Sequence, residues 1–396
     1  MSHLMNTYAR LPVAFTQGRG AWLVDEQGQE YLDALAGIAV NGLGHAHPRF
    51  TRALAEQAAK LIHTSNIYRV REQEQLADRL CALSGMQEVF FGNSGSEANE
   101  GALKLVRLYG HKHGNPEAQT IVMERAWHGR TLATLAATGS EKARKGFDPL
   151  PTGFIRVPYN DLAAVEKAAA QDRRVQAVWL EVLQGEGGIQ VADENYLRAL
   201  RRLCDDRGWL LMVDEVQCGI GRTGKWFGYQ WAGIQPDVIT LAKGLGSGVP
   251  VGCVLAGGRA AGTFGPGNHG TTFGGGPFAC RAGLETLAII EDEQLMDNAA
   301  ARGEQIRSGL AQALAGAAGV RAIRGKGLMI GVELDRPCGE LVKQALAAKL
   351  LINVTQDSVI RLLPPLVISA AEADEIVARL APVVRAFLGT PASKAA

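Results

Sequence analysis

The middle of the chain alternates short apolar runs with stretches whose apolar residues recur at helical spacing. That pattern predicts a mainly parallel sheet covered by helices. Val89-Phe-Phe reads as a strand, followed by the turn-prone Gly92-Asn-Ser-Gly-Ser and a helix with Ala98, Ala102, Leu105 and Leu108 on its face. Ala177-Val-Trp-Leu is a second strand, and Tyr196, Leu197, Leu200, Leu203 and Cys204 mark one face of the helix after it. Trp209-Leu-Leu-Met-Val reads as a buried strand ending at Asp214; Val238-Ile-Thr-Leu ends just before Lys243, and Gly252-Cys-Val-Leu-Ala follows. Beyond about residue 285 the texture changes. One long helical stretch from Leu284 to Leu314 precedes Gly327-Leu-Met-Ile-Gly-Val-Glu-Leu, a helix near 338–349, Val359-Ile-Arg-Leu and a closing helix from Ala370 to Phe387. The expected architecture is α/β with a smaller α+β unit. Residues 1–50 form an N-terminal segment packing with the small unit, 51–285 the large domain and 286–396 the small C-terminal one. The N-terminal segment should hold a short hairpin, Ala21-Trp-Leu-Val-Asp with Tyr31-Leu-Asp, and Thr390 to Ala396 should fray.

A chain of 396 residues exceeds what one hydrophobic core usually supports, in keeping with two units. Lys and Arg number 41 against 40 Asp and Glu, a net charge of +1 that offers no field to draw nucleic acid or an anionic membrane. No apolar run reaches the roughly 18 residues a membrane span needs. The opening residues lack the basic-then-apolar order of a secretory signal. The six cysteines are scattered with no C-x-x-C pair, which argues against a disulfide framework or a zinc site and for a reducing, cytoplasmic setting.

Ligands of open parallel sheets gather at the carboxyl ends of strands. Three such ends carry unusual residues. Asn93-Ser-Gly-Ser-Glu-Ala-Asn opens a helix, and its amides with a hydroxyl suit a phosphate; a plain N-cap by Ser94 or Ser96 explains it as well. Val213-Asp-Glu-Val-Gln puts an acid just past a buried strand, where a pyridinium N–H would satisfy it, although metals, ribose and phosphates use such acids too. Thr240-Leu-Ala-Lys243-Gly-Leu-Gly-Ser-Gly sets a lysine among apolar residues and glycines. Burial would lower its pKa and free the amine to attack a carbonyl; a lysine reaching to the surface is the bland alternative.

Gly219-Ile-Gly221-Arg-Thr-Gly224 matches the dinucleotide fingerprint, but Asp214 to Cys218 separate it from the strand and no amphipathic helix follows. His45 and His47 read as loop residues before Pro48, and His111 and His113 as the exposed end of a helix.

Phosphate loop, acid and lysine in this order resemble the class III pyridoxal-phosphate aminotransferases, over almost the whole chain. The matching segments are Asn93-Ser-Gly-Ser-Glu-Ala-Asn-Glu, Trp127-His-Gly-Arg-Thr, Gln184-Gly-Glu-Gly-Gly, Asp214-Glu-Val-Gln-Cys-Gly-Ile-Gly-Arg-Thr-Gly, Leu241-Ala-Lys-Gly-Leu, His269-Gly-Thr-Thr-Phe-Gly-Gly and Ile360-Arg-Leu-Leu-Pro-Pro. The resemblance implies a fold-type-I transferase with pyridoxal 5′-phosphate bonded to Lys243. It implies that Gly95 and Ser96 hold the phosphate, joined by Thr272 of the neighbouring subunit in a homodimer that shares its active sites. Trp127 would stack on the ring, with His128 beside it in the cofactor pocket and Val216 against the opposite face. Asp214 would pair with the ring nitrogen, next to Glu215, and Gln217 would lie near the phenolic oxygen. Arg130 would grip a substrate carboxylate, and Thr271 would lie near the amino donor. Arg361 resembles the second carboxylate arginine of the family, covered by Glu186 until 2-oxoglutarate displaces it. Three positions depart from the family's commoner choices: Trp127 for Phe or Tyr, Leu183 for other apolar residues and Gly276 for Asn. Gly276 bears on pocket selectivity. A decarboxylase or aminomutase on this fold, or a non-catalytic binding protein, would be the rival classes.

Overall fold

The structure is a computed structural model that describes residues 3–389; the expected frayed end at 390–396 lies outside the described residues. Its centre is a seven-stranded sheet in the order Glu88–Gly92, Gly252–Ala256, Val238–Leu241, Leu210–Asp214, Val175–Glu181, Gln119–Met123, Phe154–Val157. Gly252–Ala256 runs against both its neighbours, and the other strands share one direction. The central strands Val175–Glu181 and Leu210–Asp214 are buried along their whole length, because helices cover both faces.

Alternate residues of one strand feed two different cores. Val178, Leu180, Leu211 and Val213 pack with Tyr196, Leu197, Leu200 and Cys204 of the helix Glu194–Arg207. Ala177, Trp179, Leu210 and Met212 pack with Ala102, Leu105 and Val106 of the helix Gly95–Lys112. Each fully buried large aliphatic contributes ~1.5–3 kcal/mol. Strand alternation carries Glu181 and Asp214 to the second side, above Trp179 and Met212, where the apolar runs end.

The smaller sheet, Val320–Lys326, Met329–Leu334, Val359–Leu362, Asn353–Thr355, is antiparallel throughout. The N-terminal hairpin forms between Trp22–Asp25 and Glu30–Asp33, with a further strand, Phe15–Arg19, beside it. Glu30–Asp33 also pairs with Leu350–Leu351, tying this segment to the C-terminal part of the chain.

Two expectations change. The stretch from Leu284 to Leu314 is two helices, Pro277–Asp292 and Leu295–Ala313. The chain turns between them at Gln294, which takes a left-handed φ of 53° without the glycine or proline that would flag a break. The first of these helices begins earlier than expected because Pro277 stands at its N-terminus, where a missing N–H costs nothing. The helix near 338–349 shortens to Leu341–Ala347.

The glycines of Gly219-Ile-Gly221-Arg-Thr-Gly224 lie in successive turns, with φ 82° at Gly221 and 90° at Gly224, and open no helix. His45 and His47 pair with separate carboxylates, Asp33 at 2.8 Å and Glu293 at 3.2 Å. His111 is exposed in the last turn of its helix and His113 follows that helix.

Candidate active site

A cleft of about 360 Å³ opens at the carboxyl ends of the large sheet. All three unusual strand ends meet there: Ser94, Gly95 and Ser96 after the first, Asp214, Val216 and Gln217 after the second, Lys243 after the third. Trp127, His128 and Glu181 complete its wall.

At the helix start, capping and anion-binding geometry coexist. Ser94 Oγ accepts the Glu97 N–H at 3.2 Å, and the Glu97 carboxylate reaches back to the Asn93 N–H at 2.7 Å. The amides of Gly95 and Ser96 fall in the first turn, where a helix has no partner for them and carries partial positive charge. Gly95 must be glycine: a Cβ there would stand 2.8 Å from Val216 Cγ1. Ser96 Oγ accepts the Arg130 N–H at 3.2 Å and so holds the loop after Trp127 against the helix.

Asp214 is buried, and each oxygen has donors. Oδ2 accepts from His128 Nδ1 and from Asn99 Nδ2, both at 2.8 Å, and Oδ1 accepts the Val216 N–H at 3.0 Å. These bonds compensate a carboxylate that would otherwise be costly to desolvate. The His128 ring lies flat on Trp179, with centroids 3.8 Å apart and planes at 13°, so its direction toward Asp214 is fixed. Glu181 stands beside Asp214 on the neighbouring strand. Burial, then the Asp214 charge, push the Glu181 carboxyl up to about 8.

Lys243 lines the cleft floor with a backbone φ of 40°, strained for a residue with a Cβ. Burial and, second, the Arg361 charge lower its pKa, against the opposing pull of Glu186, Asp214 and Glu181. Arg361, on the strand Val359–Leu362, is fully buried. Its Nε donates to Asn353 Oδ1 at 2.8 Å, and its Nη1 donates to Glu186 Oε1 at 2.7 Å and to Gln217 Oε1 at 3.4 Å. Nη2 is buried with no hydrogen-bond partner. The Glu186 side chain is 30% exposed and borders a second cavity of about 390 Å³ that also reaches Trp127. Its backbone is held: the carbonyl accepts from Thr355 Oγ1 and Gln356 Nε2, and Arg324 donates to the carbonyls of Gly188 and Ile189.

Several predicted residues lie elsewhere. Glu215 is turned away from the cleft. Its carboxylate accepts the N–H groups of Gly228 and Tyr229, each at 2.9 Å, and the Cys218 thiol, and burial pushes it up to about 7. Adjacent residues leaving a strand point to opposite sides, so Asp214 and Glu215 cannot both face the cleft. Thr271 and Thr272 stay outside the cleft of their own chain; Thr272 is exposed, and Thr271 lines a different cavity with His269 and Phe90. Arg130 is exposed, its guanidinium 4.5 Å above the Trp127 ring. Reading the sequence missed Asn99 and Glu181. Glu181 had a signal, since Ala177-Val-Trp-Leu ends on an acid just as the next strand ends on Asp214.

The cleft suits a flat, phosphorylated pyridine aldehyde. Bare helix amides stand at one end, an aromatic plate and a Val face line it, a carboxylate held by three donors sits at depth with capacity for one more, and an amine of lowered pKa lies within it. The profile of the class-III aminotransferases matches residues 4–384, and the chain belongs to that family, whose cofactor is pyridoxal 5′-phosphate. Among its relatives, acetylornithine aminotransferase 1 of Bordetella pertussis is 62% identical over 387 residues, 98% of each chain. The acetylornithine aminotransferase of Nitrosomonas europaea is 58% identical, covering 98% of this chain and 99% of its own. Among solved structures, the ornithine aminotransferase of Toxoplasma gondii superposes with a TM-score of 0.93 at 33% identity, over 97% of this chain and 93% of its own. The N-acetylornithine aminotransferase of Stenotrophomonas maltophilia gives 0.84 at 34%, over 96% and 98%.

Proposed function

We propose that the chain transfers the terminal amino group of N2-acetyl-L-ornithine to 2-oxoglutarate, giving N-acetyl-L-glutamate 5-semialdehyde and L-glutamate, a step of arginine biosynthesis. The observation that carries this reading is the Arg361–Glu186 pair, a buried guanidinium bound on one nitrogen by a partly exposed carboxylate with Nη2 left over. An enzyme that takes two substrates in turn, one bringing an amine to this spot and the other a carboxylate, needs such an exchange. Guanidinium binds carboxylate in a two-point fork, which a lysine could not offer. The pair argues against a decarboxylase or aminomutase. The choice of acetylornithine is supported by the relatives at 58–62% identity and by Tyr8-Ala-Arg-Leu-Pro-Val and the run from Gly37 to Pro48.

Pyridoxal phosphate, when bound, supplies an aldehyde that bonds amines and a ring that takes up the electron pair released at the substrate carbon. The chain supplies the rest. Lys243 is the residue that would hold the cofactor aldehyde. Its free amine would remove and return the proton at the substrate carbon, and its lowered pKa enlarges the neutral fraction able to do so. Asp214, held by His128 and Asn99, would accept the ring N–H and keep that nitrogen protonated. Gly95 and Ser96 would donate to the phosphate, Trp127 and Val216 would enclose the ring, and Gln217 would stand toward its phenolic oxygen. Arg130 holds the donor's carboxylate beside Trp127 while Glu186 covers Arg361.

Thr272 acts in the cleft of a second copy, with Thr271 near that copy's donor. The loop of Thr271 and Thr272 is surrounded by exposed apolar side chains. Phe273 is exposed and packs on His63, Asn66 donates to the Gly274 carbonyl at 3.0 Å, and Ile62, Ile67 and Tyr68 lie open on the same segment. So much uncovered apolar surface suits a homodimer.

The alternative within the class is an ornithine, succinylornithine or 4-aminobutyrate aminotransferase, the first favoured by the 0.93 superposition. Steady-state kinetics with the four donors against 2-oxoglutarate decide. The highest kcat/KM is expected for acetylornithine; a higher value for another donor reassigns the substrate.

A further inference from the structure

Glu181 closes the strand Val175–Glu181 beside Asp214, 4% exposed. Two neighbouring buried carboxyls are costly, and an apolar or amide side chain in place of one would relieve that cost. The bonds of Glu181 show what the side chain does there. Oε1 accepts the Trp127 N–H at 2.9 Å, and Oε2 accepts the Gly185 N–H at 3.0 Å. The first amide belongs to the plate over the cofactor ring, and the second to the residue before Glu186. Below it, the single Tyr159 hydroxyl proton is shared between the carbonyls of Glu181 and Val182, at 2.7 and 2.9 Å, and anchors the end of the strand. A weaker parallel tie runs from Gln184 Nε2 to the Glu124 carbonyl at 2.8 Å. The loop is closely packed: a Cβ on Gly185 would fall 2.4 Å from the Gln217 amide, and one on Gly187 would meet the Arg125 carbonyl at 3.0 Å.

We propose that Glu181 is a positioning residue, a single carboxyl group whose two oxygens set the spacing between the ring-stacking Trp127 and the loop bearing Glu186. This rests on the aminotransferase reading above. Through it, the geometry at the cofactor and the cover over Arg361 are linked, so loosening the tie harms use of 2-oxoglutarate more than use of the amino donor. A glutamine in its place offers one accepting oxygen for two N–H donors, and an aspartate is one methylene too short to reach both.

The test uses full-length Glu181→Gln and Glu181→Asp, without cofactor and with pyridoxal phosphate bound. Without cofactor, amide hydrogen exchange at Trp127 and Gly185 should speed up by about tenfold or more, with the strand amides of Val175 to Leu180 unchanged. With cofactor, the visible circular dichroism band of the bound ring should fall by about half. KM for 2-oxoglutarate should rise about tenfold against less than about threefold for the donor. Unchanged exchange at the two amides, or equal shifts in both KM values with an unchanged dichroism band, overturns the proposal. Failure of both variants to fold does the same, since the residue is then structural. If the unmutated protein binds pyridoxal phosphate but transfers no amine, the functional reading falls, and the exchange rates still decide whether Glu181 ties the two loops.

Discussion

Two buried charged groups, Asp214 in the cleft wall and Arg361 behind Gln217, handle burial in opposite ways. On the large sheet, Asp214 receives donors on both oxygens from His128, Asn99 and Val216, and the His128 ring is pinned by Trp179. On the small-sheet side, Arg361 is as deeply buried, yet one nitrogen has no partner and its carboxylate partner is 30% exposed. The difference follows the chemistry. On the proposed reading, the ring nitrogen would present the same N–H in both halves of the reaction, which a rigid, preorganised acceptor would serve best. The group facing Arg361 would change between amine and carboxylate, so its partner would have to leave.

Breaking the rigid arrangement should have the largest effect. Asp214→Ala is expected to lower kcat by roughly 10²–10³-fold, with a smaller loss of cofactor affinity, read by steady-state kinetics and by titration with pyridoxal phosphate. Equal losses would make Asp214 a structural acid. Glu186→Gln tests the other arrangement. With the charge that covers Arg361 gone, the donor KM should rise and the 2-oxoglutarate KM fall, each by about 3- to 10-fold, the worth of one ordinary hydrogen bond. Shifts in the same direction would contradict an exchanging partner.

The smallest effect concerns Glu215, the acid outside the cleft. Its folded-state pKa, pushed from 4.5 up to about 7, means that between those values the folded chain holds more of this proton than the unfolded chain does. Its contribution to stability therefore declines as pH rises through that window and stays lost above it. Glu215→Gln should flatten that decline in urea midpoints measured at pH 5 and pH 8; an unchanged slope would refute the assignment.

Much of this was legible in the chain because apolar strand runs stop abruptly at chemistry. Asp214 and Lys243 follow runs too apolar to be surface, and a helix start after Val89-Phe-Phe needs only local capping residues to be seen. The misreading of Glu215 came from treating adjacent acids as equivalent when strand alternation separates them. Asn99 was invisible for another reason. It is an ordinary polar residue on a helix, and it matters only because folding brings that helix across the end of the Asp214 strand. The same holds for Arg324, Thr355 and Gln356, whose grip on the Glu186 loop joins segments far apart in sequence. The turn at Gln294 left no sign, since a glutamine takes a left-handed backbone there only because the two flanking helices are held by packing.

The central claim is that one amine in this cleft bonds the cofactor. The full-length protein, incubated with pyridoxal phosphate, reduced with borohydride and mapped by peptide mass spectrometry, is expected to carry the pyridoxyl mass on Lys243. A stable label on any other lysine, or on none, would contradict the account.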